Sequence, residues 1–147
     1  MPPDLWNFAL ACYARPGVEQ TCLRLQEQGT DVCLLLCALW LEQRRATASA
    51  ERLERLRAIA EPWQRQVVQP LRELRQGLKA AAQKDPQQAR LREEIKALEL
   101  EAERELLGRL ERASQKWQAT DEAVAWLELL LGDRDACTLL RAAAAAS

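Results

Sequence analysis

The hydrophobic positions change their pattern along the chain. Residues 5–45 contain short apolar stripes and one almost continuously apolar segment, GTDVCLLLCALW, at residues 29–40. A helix that is apolar on every side is one that other helices enclose. We therefore predict that residues 31–45 form the central helix of the fold. Shorter helices come before it and end at the ARPG turn and at Gly29.

Residues 46–117 show a second pattern, a regular apolar stripe on a polar, arginine-rich background. Apolar residues recur at spacings of three and four, which is typical of helices that pack along their length. The first stripe runs from Leu53 through Val67 to Leu78, and the second runs from Leu91 through Leu98 to Trp117. The segment between the stripes, KDPQQ, contains an N-cap aspartate and a proline suited to the first helical position. The pattern predicts a long antiparallel helical hairpin with arms about 45 Å long.

Two prolines interrupt the first arm of this hairpin. Pro62 and Pro70 each lack a backbone N–H donor, and the ring of each clashes with the preceding turn of a helix. We therefore predict a break in the helix near Glu61 and a bend near Gln69.

The remaining segment, residues 118–147, predicts two shorter helices, DEAVAWLELLL and RDACTLLRAAAAA. No segment of the chain has the period-two alternation of a strand. The sequence thus predicts a single all-α domain, a helical bundle of five or six helices. Its parts are an apolar core segment at 1–45, the hairpin at 46–117 and the C-terminal helices.

The composition fits a folded protein that lies in the cytoplasm. The chain has 147 residues, the size of one domain, and 48% of them are apolar. Its net charge of −1 gives no general attraction to nucleic acid or to an anionic membrane. The longest apolar stretch is half the length of about 20 residues that a membrane-spanning helix needs, and the start MPPDLW has no signal-peptide pattern. We therefore predict a cytoplasmic protein with no membrane partner.

The residue types restrict the chemistry. The chain has no histidine, the commonest general base and metal ligand. Its five cysteines are odd in number and lack CxxC spacing, which indicates free thiols, and Cys33 and Cys37 are expected to pack in the core rather than bind metal. Glu94, Glu101 and Glu105 could share one side of a helix, but interleaved basic residues favour a salt-bridged surface. We predict no catalytic residue, metal or cofactor, and favour a non-enzymatic protein.

Four basic residues of the first arm share one helix face, which we call the basic row: Arg65, Arg72, Arg75 and Lys79. Such a row could hold a phosphate, a carboxylate or an acidic protein surface. The alternative is an internal match with Asp31 or with the acidic residues of 117–147. The patch is local and contains a single aromatic residue, Trp63, which argues against nucleic-acid binding.

Three stretches resemble a family of small bacterial proteins of unknown function: LWNFALACYARPGV, TCLRLQEQGTDVCLLLCALWLE and WQRQVVQPLRELRQGLK. The resemblance covers most of residues 5–79. It implies a bacterial, cytoplasmic helical protein, and it carries no activity, cofactor or catalytic residue to this chain.

Two functional interpretations follow. The preferred one is a non-catalytic interaction or adaptor protein that contacts a protein partner through the hairpin or the basic row, and its apolar stripes could also pair two copies into a homodimer. The alternative is a small-molecule binding protein or enzyme with an anionic ligand between the central helix and the arginine-rich helix. Asp31, Trp63, Arg72 and Arg75 would then line the site. An adaptor predicts these arginines on a convex surface, whereas a ligand site predicts them in a concave pocket.

Overall fold

A computed structural model describes residues 4–122 and 124–147. These residues are mostly helical and contain no β-strand, which confirms the all-α prediction. The helical segments are α1 (Leu5–Tyr13), α2 (Val18–Glu27), α3 (Val32–Gln43), α4 (Ala50–Trp63), a π-helical segment (Gln64–Val68), α5 (Gln69–Gly77), α6 (Lys79–Ala82), α7 (Pro86–Ser114), α8 (Trp126–Leu130) and α9 (Arg134–Ala145). Within the described ranges, no helix has both the length and the apolar character needed to cross a membrane.

The central helix lies where the sequence predicts it. The Asp31 carboxylate accepts a hydrogen bond from the Leu34 N–H and so caps α3, and every residue from Cys33 to Leu41 is buried. Helices α1, α4, α7, α8 and α9 all pack against α3. Each leucine enclosed in this way contributes about 1.5–3 kcal/mol through burial of its side chain. Burial on every side of α3 therefore supplies much of the stability of the bundle.

The predicted antiparallel hairpin is also present. Helices α4 and α5, joined by the π-helical segment, form the first arm, and α7 forms the second. Helix α7 has 29 residues and is therefore about 44 Å long. Its C-terminal half contains most of its buried residues, whereas α5 and α6, which pack against its N-terminal half, bury none of their own. We call this part of the hairpin, residues 69–98, the distal hairpin.

The first arm is not broken near Glu61, so that prediction is wrong. Pro62 lies inside α4, and the chain continues through the π-helical segment directly into α5. In a regular α-helix the ring of Pro70 would clash with the carbonyl group of Gln66, four residues earlier. Here this carbonyl lies in the wider π-helical turn, so the helix continues past Pro70. Because a π-helical turn holds an extra residue, the buried positions become Gln64 and Val68, and the predicted Val67 is only partly buried.

After the hairpin, the described residues 115–122, 124 and 125 are not helical and the next helix begins at Trp126, so the predicted helix DEAVAWLELLL is wrong for these residues of its first half. Its residue Ala123 lies outside the described part of the chain. The Arg45 guanidinium donates hydrogen bonds to the carbonyl oxygens of Thr120, at 3.1 Å, and Glu122, at 2.8 Å. These carbonyl groups are thereby held by a side chain and are not free to begin a helix.

Candidate functional site

Two cavities lie on either side of Arg72, between the start of α3 and the first arm. The larger one, which we call the outer cavity, has a volume of about 610 Å³ and extends from the α2–α3 turn to the π-helical segment. The smaller one, the inner cavity, has a volume of about 220 Å³ and is bordered by α1, α2, α3, α5 and α7. Gln26, Val32, Gln64 and Arg72 line both. The volume of the outer cavity falls in the range of about 300–1,000 Å³ that is usual for ligand sites.

The structure brings only some of the candidate residues together. Asp31, Arg65 and Arg72 line the outer cavity, and Arg72 and Arg75 line the inner one. Lys79 is exposed on α6 and lines neither. The basic row is therefore divided between two concave surfaces, which Arg65, Arg72 and Arg75 line, and an exposed position on α6, which Lys79 occupies.

Trp63 lies away from both cavities, against the second arm. Its indole N–H donates a hydrogen bond to the Ala102 carbonyl oxygen at 2.9 Å, and the Arg109 guanidinium lies 4.0 Å from its ring centroid. Its contacts join the two arms of the hairpin. Trp63 therefore has a packing role in the structure.

Near the cavities, Arg72 and Arg75 both form ion pairs with Glu99 on α7. The Arg75 Nε donates to Glu99 Oε1 at 2.5 Å, and the Arg72 Nε donates to Glu99 Oε2 at 3.2 Å. The side chains of Glu99, Arg72 and Arg75 are 8%, 17% and 23% exposed. The hydrogen bonds that the Arg75 guanidinium donates to Glu99 raise the pKa of Arg75 above its usual value, so this guanidinium remains charged.

Glu99 was not among the predicted partners of the arginines. The sequence offered Asp31 and the acids of 117–147 as partners and assigned Leu98 to the buried stripe, but Leu98 is 53% exposed and Glu99 is buried. The spacing of residues along α7 could have indicated that Glu99 faces inward. Glu99 follows Ile95 by four positions and precedes Ala102 by three, so it also lies on the inward face of α7.

Asp31 holds the start of α3 against the first arm. Besides capping α3, its carboxylate accepts a hydrogen bond from the Gln64 side-chain amide at 2.9 Å. Burial raises the pKa of Asp31, while these hydrogen bonds and the positive charge of Arg72 act in the opposite direction. Gln64 belongs to the π-helical segment and is buried, so this bond depends on the widened turn.

Two further titratable residues border the inner cavity, and sequence reasoning singled out neither of them. Burial raises the pKa of Glu103 to about 7, and the negative charge of Glu99 acts in the same direction. Burial likewise raises the pKa of Tyr13 to about 12. At neutral pH the phenol is therefore protonated, whereas the Glu103 carboxyl changes its charge close to this pH.

The cysteines and the acidic residues of α7 show no arrangement for metal chemistry. All five cysteines are free and buried, and burial raises the pKa of Cys37 to about 12, so its thiol stays protonated at neutral pH. Glu94 and Glu105 form surface ion pairs with Arg90 and Arg109. Among the residues that the structure describes, no group of three or more acidic or cysteine side chains could hold a metal ion.

The fold and the two cavities define an all-α protein with a long helical hairpin and a polar crevice beside its central helix. The chain belongs to a family described as "Protein of unknown function (DUF2390)", which matches residues 4–110. That range contains every residue of the two cavities except Leu130. No curated protein and no solved structure matches the chain.

Proposed function

We propose that this protein is a non-catalytic binding protein that takes a small anionic ligand in the outer cavity. The observation that carries the proposal is the position of Arg65. Its side chain is exposed and borders the cavity, and it has no ion-pair partner among the described residues. By contrast, Arg57 at the same cavity pairs with Glu54, and Arg72 pairs with Glu99. Arg65 is thus the guanidinium that remains available for a carboxylate or a phosphate.

The remaining lining indicates what else the ligand carries. Four glutamines border the outer cavity, and their amides both donate and accept hydrogen bonds: Gln26, Gln28, Gln64 and Gln69. The carboxylates of Asp31 and Glu61 also line the cavity and disfavour a ligand with several anionic groups. A small molecule with one anionic group and several hydroxyl groups, such as a sugar phosphate, suits this lining best.

The test uses glucose 6-phosphate and ribose 5-phosphate as probes, with glucose and ribose as their uncharged counterparts. We expect calorimetric titration to detect binding of a phosphorylated probe and none of its parent sugar. Arg65→Gln should weaken the binding at least tenfold, because a hydrogen bond to a charged group contributes about 1.5–3 kcal/mol and 1.4 kcal/mol is a factor of about ten. Arg55→Gln is the matched control, since Arg55 is exposed on α4 and borders neither cavity. Equal binding by the wild type and Arg65→Gln would refute the proposal.

The second candidate function is contact with a protein partner through the distal hairpin. Leu74 and Leu98 are each 53% exposed there, and Leu91 is 49% exposed. Exposed leucines on a helical hairpin with little core of its own are typical of surfaces that bind another protein or a second copy. This candidate does not depend on Arg72 or Arg75, which are bound to Glu99.

The double variant Leu74→Glu/Leu98→Glu tests this second function. If the hairpin pairs two copies, the wild type should sediment as a dimer and the variant as a monomer. If it binds another protein, one protein recovered with the tagged wild type from its native extract should be absent from the variant. Leu129→Glu is the control, because Leu129 is exposed on α8 and outside the hairpin. A monomeric wild type that recovers the same proteins as the double variant would exclude the hairpin as a binding surface.

A further inference from the structure

The inner cavity has an apolar entrance that is open to solvent. Leu10, Leu23 and Leu100 line it from three different helices, and each is about half exposed. Trp6 and the buried Leu36 extend the apolar wall inward. Three exposed leucines around a single opening form a local apolar surface, whereas leucines scattered singly over a protein need no explanation.

Glu103 lines the inner cavity and belongs to a charged cluster that contains more carboxyl groups than guanidinium groups. Glu103 faces the cavity, accepts no hydrogen bond and forms no ion pair with any described residue. Arg72 and Arg75 also line the cavity, but both are held by Glu99 through hydrogen bonds. Glu99 and Asp31 do not line this cavity, but both act electrostatically on Glu103. The cluster of these three carboxyl groups with Arg72 and Arg75 therefore carries one negative charge in excess when all are ionised.

We propose that the inner cavity binds a small apolar amine, with its ammonium group paired to the Glu103 carboxylate and its hydrocarbon part against Trp6 and the leucines of the entrance. The Glu103 carboxylate, which has no ion-pair partner among the described residues, favours a cationic group, and the apolar walls favour a hydrocarbon part. A cavity of about 150 Å³ accommodates benzene, so about 220 Å³ is enough for an aromatic ring with a short aminoalkyl chain. This proposal concerns a different cavity from the sugar-phosphate site and does not depend on it.

The cavity discriminates against an apolar acid of the same shape. A ligand carboxylate would be repelled by ionised Glu103, and the positive charges of Arg72 and Arg75 are already partly balanced by Glu99. A neutral alcohol would keep the apolar contacts but would leave the Glu103 carboxylate without a cation. The affinity should therefore decrease from the amine to the alcohol to the acid, and this order reports on the charge of the site.

Binding of an amine at Glu103 should depend on pH. The titratable and charged groups that face Glu103 are Tyr13 from α1, Asp31 and Cys33 from the start of α3, Arg72 and Arg75 from α5, and Glu99 on its own helix. Of these, Tyr13 and Cys33 have pKa values raised by burial and stay neutral near pH 7. Because the amine pairs with ionised Glu103, whose pKa is about 7, its affinity should rise roughly tenfold from pH 6 to pH 8.

The experiment is a titration with 2-phenylethylamine, 2-phenylethanol and 3-phenylpropionate at pH 8. Binding is monitored by calorimetry and by the NMR resonances of the tryptophan indole N–H groups. We expect the amine to bind at least tenfold more tightly than the alcohol and to shift the resonance of Trp6, which lines the cavity. The resonance of Trp126, which is fully buried outside the cavity, should stay unchanged. Glu103→Gln should remove both the preference for the amine and its dependence on pH. Glu101→Gln, an exposed residue of the same helix, should change neither.

Each other outcome would overturn the assignment. Equal affinities for the amine and the alcohol would show that no carboxylate takes part, and tightest binding of the acid would show that the arginines dominate the site. Undiminished amine binding by Glu103→Gln, in protein whose melting shows that it is folded, would place the amine elsewhere. No binding of the amine at millimolar concentration would also refute the proposal, and sugar-phosphate binding would be unaffected in that case.

Discussion

Replacing Glu99 by alanine should lower the free energy of unfolding by about 3 kcal/mol, because two mostly buried arginines lose their shared carboxylate. Removal of one partner of a buried ion pair costs about 3–5 kcal/mol, since the remaining charge stays buried without compensation. We expect the lower end of this range here. Arg72 and Arg75 retain some solvent contact, and Glu103 is close enough to interact with both. Urea unfolding at neutral pH measures the loss.

A control on the same helix separates this effect from a general effect of removing charge. Glu101→Ala changes an exposed residue of α7 and should alter the stability by less than about 0.5 kcal/mol. The triple variant Glu99→Leu/Arg72→Met/Arg75→Leu should recover most of the stability, because buried ion pairs can be replaced by apolar residues of similar volume at little cost. A loss below about 1 kcal/mol in Glu99→Ala would show that the pairing contributes little to the fold.

The hairpin could be predicted from the sequence, whereas the crevice could be predicted only in part. The ion pairs of Glu99 illustrate the difference. The hairpin follows from apolar spacing over some thirty residues in each arm, and errors at single positions do not change that spacing. The pairing of Arg75 with Glu99 depends on the register between two helices. Leu98 and Glu99 are neighbours in the sequence, and the spacing of apolar residues alone does not decide which of the two faces inward. In the structure Glu99 is buried and Leu98 is exposed.

The π-helical segment is the second reason why the crevice could be predicted only in part. The prolines in the first arm predicted an irregularity, but a kink and a π-helical turn have the same sequence signal. Only the π-helical turn moves the buried face by one residue and turns Gln64 toward Asp31. Asp31 and Arg72 could be anticipated as neighbours by their charge, whereas Gln64 and Glu103 become visible only once the helices are placed.

The unfolding free energy should fall by about 2 kcal/mol more in the wild type than in Glu103→Gln as the pH rises from 5 to 8. The carboxyl of Glu103 has its pKa raised from 4.5 to about 7 in the folded protein. Between these pH values the unfolded chain releases this proton while the folded protein keeps it, so each step in pH favours unfolding. Above about pH 7 the folded protein also releases the proton and the difference becomes constant. The full shift corresponds to about 3 kcal/mol, which we reduce because the side chain is only partly buried.

The comparison of the two proteins isolates Glu103 from the other titrating groups. Burial raises the pKa of Asp31 as well, and hydrogen bonds lower the pKa of Glu128, but both groups are present in the wild type and in Glu103→Gln. At pH 5 the two proteins should be nearly equally stable, since glutamine has the shape of a protonated glutamate, and at pH 8 the variant should be the more stable. Parallel pH profiles would mean that Glu103 titrates as an ordinary surface carboxyl, and the inner cavity would then lack the buried charge that an amine needs. A variant that gains stability at pH 8 but shows no preference for the amine would instead separate the electrostatics of the cavity from its use as a binding site.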